Sequence, residues 1–124
     1  MRENRTVPLV TGVLLLILAL HVSVAWQDLG TLARNGYLYD DSFYAFKIAQ
    51  NIAAGNGATF DGIHPTSGFQ PLYVFLLVPV YFLSNGDLSL PISVALTMLA
   101  VFTCLTALLV FRIARRYVGT AASL

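Results

Sequence analysis

The sequence predicts an all-α integral membrane protein, with three transmembrane segments and a long extracytoplasmic loop that contains an amphipathic juxtamembrane helix. Three observations lead there. Hydrophobic residues fill 57% of the 124 positions. Charged residues account for 10%, against about 25% in soluble domains. The apolar residues also collect in long runs, and mean hydropathy is +0.75. A formal net charge of +1 argues for neither a nucleic acid nor an acidic partner. Cys104 is the single cysteine and lies inside an apolar run, so it reads as a small buried hydrophobe without an intrachain disulfide.

Residues 1–6 form a cytoplasmic polar cap with Arg2 and Arg5. Residues 7–26 are the first transmembrane helix, with Thr11, Gly12, His21 and Ser23 as interruptions. As a helix this run reaches about 30 Å, the thickness of a hydrocarbon core. The arginines before it place its start in the cytoplasm, and Trp26 suits the far interface. Ser23-Val24-Ala25 also resembles a signal-peptidase site. The apolar core is long for a removed signal and further apolar segments follow, so an uncleaved anchor is preferred. His21 has two readings, a functional ionisable group within a span or a side chain reaching the interface.

Residues 27–68 form the extracytoplasmic loop and hold Asp28, Arg34, Asp40, Asp41, Lys47, Asp61 and His64. Residues 69–83, with Pro71 and Pro79, are the second transmembrane segment, short at about 22 Å. Ser84-Asn85-Gly86-Asp87 is a turn, and residues 88–111 are the third span, with Pro91 tolerated in its first turn. Residues 112–124 are a tail. Three full crossings from a cytoplasmic start leave Arg112, Arg115 and Arg116 outside, against the positive-inside tendency; a second segment that dips in and returns would leave them inside. Three apolar segments and one loop enclose no sizeable site, so the chain reads as the front piece of something larger or as a small subunit.

Within the loop, residues 42–54 have helical spacing, opened by Asp40-Asp41-Ser42 and ended by Gly55-Asn56-Gly57. Asp41 or Ser42 is the expected cap, with the carboxylates at the positive end of the helix dipole. Tyr44, Ala45, Ile48 and Ile52 make one apolar face, and Asp40, Phe43, Lys47 and Asn51 fall elsewhere. Such a helix is expected to lie along the membrane surface, with Tyr44, Ile48 and Ile52 facing lipid or the bundle of spans. The Asp40-Asp41 pair reads either as helix capping with solvation or as a general base at a cavity rim, which needs a carboxylate held and partly desolvated. Residues 58–62 are β-like and turn at Gly62. His64 has no second histidine or cysteine at ligand spacing, so a hydrogen-bonding loop histidine is favoured over a metal ligand.

The order of these motifs resembles the start of C-type membrane glycosyltransferases, which use polyprenyl-phosphate sugars and include protein O-mannosyltransferases and aminoarabinose and arabinosyl transferases. The residues that carry the resemblance are Tyr39-Asp40-Asp41-Ser42-Phe43-Tyr44, then Ile48-Ala49-Gln50-Asn51-Ile52-Ala53, Phe60-Asp61-Gly62 and Thr66-Ser67-Gly68-Phe69-Gln70-Pro71-Leu72-Tyr73. The resemblance covers residues 37–118 and, loosely, the first span. It implies an inverting transferase that moves a sugar from a polyprenyl or dolichyl monophosphate to an extracytoplasmic glycan, lipid or protein acceptor. Asp40 would be the catalytic base and Asp41 its supporting acid, with Lys47, His64, Gln70 and Tyr73 as donor contacts. No cofactor and no nucleotide-binding metal site is implied. The family's partners are membrane lipid, the lipid-linked sugar and the remaining helices of a longer chain. Where relatives carry His-Pro-Pro or Lys-Pro-Pro, this chain has Phe69-Gln70-Pro71, which lacks the cationic phosphate contact. Family architecture also favours the second segment as a full crossing, with the three arginines outside. The alternative from another class is a non-catalytic membrane subunit or assembly factor that docks through the loop; a transporter-like fragment with a cation site at the acidic pair is the third reading.

Overall fold

A computed structural model describes the backbone of residues 3–121 and the side chains of residues 7–117. Among the described residues five helices occur in order: α1 Glu3–Ala25, α2 Leu29–Arg34, α3 Asp40–Ala53, α4 Pro71–Leu83 and α5 Ser89–Ala121. The side chains of Arg2 and Arg5 and the end of the tail lie outside the described residues. The chain divides into two compact units: Met1–Val24 with Leu96–Leu124, and Ala25–Ala95.

In the first unit, α1 and the later turns of α5 lie side by side and antiparallel. The thiol of Cys104 donates to the carbonyl of Leu14 at 3.7 Å, and Val7 shares a cavity with Leu108, Arg112 and Arg116. Polar groups on these helices turn onto their own backbone. His21 Nδ1 donates to the Ile17 carbonyl at 2.8 Å, Ser23 to Leu20, Thr103 to Leu99 and Thr106 to Phe102. Apolar side chains face outward instead. Leu9, Leu15, Leu16 and Leu20 are each more than half exposed. In water this would forgo on the order of 5 kcal/mol of burial, comparable to the whole stability of a small domain. Among the described residues two segments, Val7–Ala25 and Ser89–Tyr117, are long and apolar enough to cross a membrane.

This pairing departs from expectation in two ways. The helix does not end with the expected span at Phe111: Arg112, Ala114, Arg115 and Arg116, all good helix formers, supply the next turn, and α5 runs on to Ala121. The arginines of that extension also sit at the same end of the pair as Val7, not at the far end. The expected second span is a 13-residue helix, Pro71–Leu83, about 20 Å long, and is not among the two segments of crossing length.

The second unit is built on α3 packed against α4. Ala45, Phe46, Ile48 and Ala49 are buried from one side, and Val74, Leu77 and Tyr81 from the other. The predicted apolar face of α3 therefore exists, with Tyr44 and Ile52 half-buried at its margins, and of the two expected surroundings, lipid or the other apolar segments, it packs on the apolar helix α4. Pro71 sits at the start of α4, where its missing N–H costs nothing. The turn at residues 84–87 forms as expected, with Asn85 and Gly86 at positive φ and Asp87 accepting from the backbone and hydroxyl of Ser89. Pro91 is buried in the first turn of α5.

Asn51 is the main correction within this unit. Expected on the polar side with Asp40 and Lys47, it is buried, because the loop after α3 folds back over it. Its amide donates to the carbonyls of Thr59 and Phe60 at 2.9 and 3.0 Å. Asn51→Ala leaves both carbonyls short of a donor and is expected to destabilise the second unit by about 1–3 kcal/mol. Thermal unfolding in detergent, with Asn51→Ala compared against Lys47→Ala, measures it; equal midpoints for the two variants would contradict the assignment.

Candidate functional site

The acidic pair occupies the first turn of α3. The residue flanking the helix is Tyr39, whose side chain makes no capping bond, so Asp41 and Ser42 are inside the helix and neither is its cap. The helix opens two residues earlier than a cap at Asp41 would allow, as the Ser42 N–H already reaches the Tyr39 carbonyl at 2.9 Å. Asp40 and Asp41 are both exposed, and among the described residues neither forms a side-chain hydrogen bond or ion pair. Their remaining role in folding is to place negative charge at the positive end of the α3 dipole. Tyr37, Tyr39 and Phe43 stand around them but are themselves exposed, so this chain's own packing does not desolvate the pair.

The loop after α3 returns to the same helix. Phe60 stacks on Tyr44 with ring centroids 5.0 Å apart, and the Tyr44 hydroxyl meets the Thr66 hydroxyl at 2.6 Å. Thr66 N–H donates to Ala58 O at 2.8 Å, and a single antiparallel bridge joins Thr59 to Pro65. The β-like stretch and the turn at Gly62, whose φ is +83°, are thus as the sequence suggests. Tyr44 lies one helical turn after Asp40, so the two share one side of α3, which corrects the expectation that set Asp40 apart from the face of Tyr44. The start of the returning segment, residues 64–73, is therefore fastened one turn from the acidic pair.

The other expected contacts are less converged. Lys47 is exposed and donates to Gln50 Oε1 at 3.1 Å. Gln70 is exposed just before α4, and Tyr73 is half-buried on it. His64 is a hydrogen-bonding loop histidine, as expected. Its Nδ1 donates to Asp61 Oδ2 at 2.6 Å, and the ring is otherwise 80% exposed. No hydrogen bond among the described residues joins these four to each other or to Asp40 and Asp41. No group of three or more potential metal-binding side chains occurs among the described residues.

Three features were not anticipated. The short helix α2 is capped by Asp28, which accepts from Thr31 N–H at 2.9 Å, and is closed by Asn35 and Gly36. An aspartate before an apolar turn and Asn-Gly after it are the signal for that helix. Asp61 Oδ1 accepts from the N–H groups of Ile63 and His64, the turn that Asp-Gly favours. The link from Tyr44 to Thr66 has no sequence signal, as it spans 22 positions. Comparison with family models, curated proteins and solved structures finds no match for this chain.

Hydrogen bonds from the His64 side chain, then from the His64 and Ile63 backbone, hold the Asp61 carboxyl well below the usual carboxylate range. A depressed folded-state value means that the stabilisation is present above the unfolded value of about 3.9 and is lost as pH falls through the folded one. The Asp61 carboxyl carbon, followed by NMR, should titrate with a midpoint below that of an unperturbed aspartate, and His64→Ala should raise it. A wild-type midpoint at or above about 3.9 would refute this.

Proposed function

We propose that α1 and α5 cross a membrane as an antiparallel pair, with residues 1–6 and 112–116 in the cytoplasm and residues 26–88 on the outer side. Charge supports this orientation. Five of the seven cations, Arg2, Arg5, Arg112, Arg115 and Arg116, belong to the two cytoplasmic segments, where Glu3 is the one acid. Residues 26–88 hold the five other carboxylates against Arg34 and Lys47. The orientation obeys the positive-inside tendency at both ends. It also treats α4 as a helix that does not cross alone, because one further full crossing would reverse α5 relative to α1.

On that outer segment, the reading best supported is inverting glycosyl transfer from a polyprenyl-phosphate sugar. Asp40 takes the proton of the acceptor's hydroxyl while its oxygen bonds to the anomeric carbon. The bond from that carbon to the phosphate oxygen breaks, and its electron pair leaves with the lipid phosphate. Such a leaving group carries its own charge, so the step asks for a base and not for a nucleotide-binding metal. The observation that carries the reading is the acidic pair on an accessible helix start, with the returning loop fastened to Tyr44 one turn away. Docking of acceptor and donor would supply the desolvation that raises the carboxylate's proton affinity. The exposure of Asp40, Asp41, Tyr37, Tyr39 and Phe43 also suits a second reading, a docking surface of a non-catalytic subunit.

Orientation is tested with cysteines placed in a Cys104→Ala background. Ser67→Cys should react with an impermeant maleimide on intact cells, and Ile113→Cys only after permeabilisation; the reverse pattern overturns the orientation. Chemistry is tested with full-length protein in lipid vesicles supplied with a polyprenyl-phosphate sugar. Asp40→Asn keeps the size and removes the proton-accepting charge, and should lower turnover by about 10²–10⁴-fold. Asp41→Asn should be milder. Activity retained by both variants assigns the pair to docking.

A further inference from the structure

The arginine end of the helix pair carries a feature that sugar transfer does not use. Arg112, Arg115 and Arg116, on one face of α5, line a cavity of about 530 Å³ together with Val7, Leu108 and Phe111. A second cavity of about 160 Å³ lies further along the pair, between Thr11, Leu14 and Leu18 of α1 and Val101, Cys104 and Leu108 of α5. Leu108 belongs to both, so the cavities adjoin. One is rimmed by guanidinium groups, and the other is apolar. Among the described residues no carboxylate forms an ion pair with Arg112 or Arg115.

We propose that this end binds an anionic phospholipid, its phosphate held by Arg112 and Arg115 and one acyl chain laid along the groove between α1 and α5. The inference rests on the membrane-spanning reading above. Guanidinium forks match phosphate oxygens bidentately, and basic pockets between helices on the cytoplasmic side suit anionic headgroups. Free phosphate would use the first cavity and leave the second without a function. An acidic peptide has no long hydrocarbon chain to fill the groove. An amphiphile with an anionic head uses both, and the cytoplasmic leaflet presents one at the depth where the arginines lie.

The test is the lipid that stays with the full chain purified from membranes containing equal phosphatidylglycerol and phosphatidylcholine. Wild type should retain phosphatidylglycerol selectively, and high salt should weaken the preference. Arg112→Gln with Arg115→Gln should reduce that preference about thirty-fold, from the contribution of two arginines near an anionic surface. Arg112→Lys with Arg115→Lys keeps the charge and should retain most of it. Leu108→Trp, which fills the junction of the cavities, should lower retention with the charges intact. Equal retention of both lipids by wild type overturns the proposal without recourse to any variant, as does an unchanged preference in the glutamine variant. Preferential retention of added polyprenyl phosphate over phosphatidylglycerol overturns the choice of ligand. Release of wild type from membranes by alkaline carbonate overturns the spanning reading, and the inference falls with it; firm integration with no lipid preference overturns the inference alone.

Discussion

The buried amide of Asn51 determines the form of the second unit, because the loop it holds has little else to organise it. Between α3 and α4 the backbone makes one isolated bridge and few hydrogen bonds of its own. Asn51 supplies donors to two successive carbonyls, Thr59 and Phe60, that the fold turns inward. With those carbonyls fixed, Phe60 can stack on Tyr44 and Thr66 can reach the Tyr44 hydroxyl. An unsatisfied carbonyl in the same place would cost more than the bond itself contributes, so the arrangement is demanded as much as it is favoured. The acidic pair inherits its surroundings from this closure: it stands one turn from the point where the loop comes home.

The first unit solves a different problem with the same rule. Its helices carry apolar side chains outward, and their hydroxyl and imidazole groups bond back to carbonyls one turn earlier. That arrangement leaves little polar surface along the helix flanks, as a hydrocarbon solvent requires. Along the sequence, five of the seven cations lie beyond the outer ends of the two apolar runs, and five of the six carboxylates lie in the segment between them. The proposed lipid site and the proposed transfer site then belong to opposite ends of the chain's charge distribution. Each would meet a phosphate-bearing lipid by a different means, one through fixed cations and the other through a proton-accepting carboxylate.

Much of this was legible from the residues. Helical class, the apolar character of α1 and α5, the existence of α3 and the turn at residues 84–87 follow from hydropathy runs and from Gly, Asn and Pro punctuation, which act over a few positions. His64 was readable as a hydrogen-bonding loop histidine, since Asp61 lies three residues before it. Periodicity placed Ile48 and Ala45 on a covered face correctly, but it could not choose between lipid and the neighbouring apolar segments as the cover, which is α4.

What the sequence by itself determined is the solvent each segment prefers and where local backbone bends. The tertiary structure alone decided three things. Asn51 faces inward, because carbonyls eight and nine positions later turn toward it. Thr66 returns to Tyr44, a contact that spans 22 positions and leaves no periodic trace. Arg112, Arg115 and Arg116 share an end with Val7, because α1 and α5 pack antiparallel. Counting apolar runs cannot supply that last result: the runs show that α1 and α5 are long and apolar, but their antiparallel packing is a contact between segments some ninety positions apart, such as Leu14 and Cys104, and leaves no local trace.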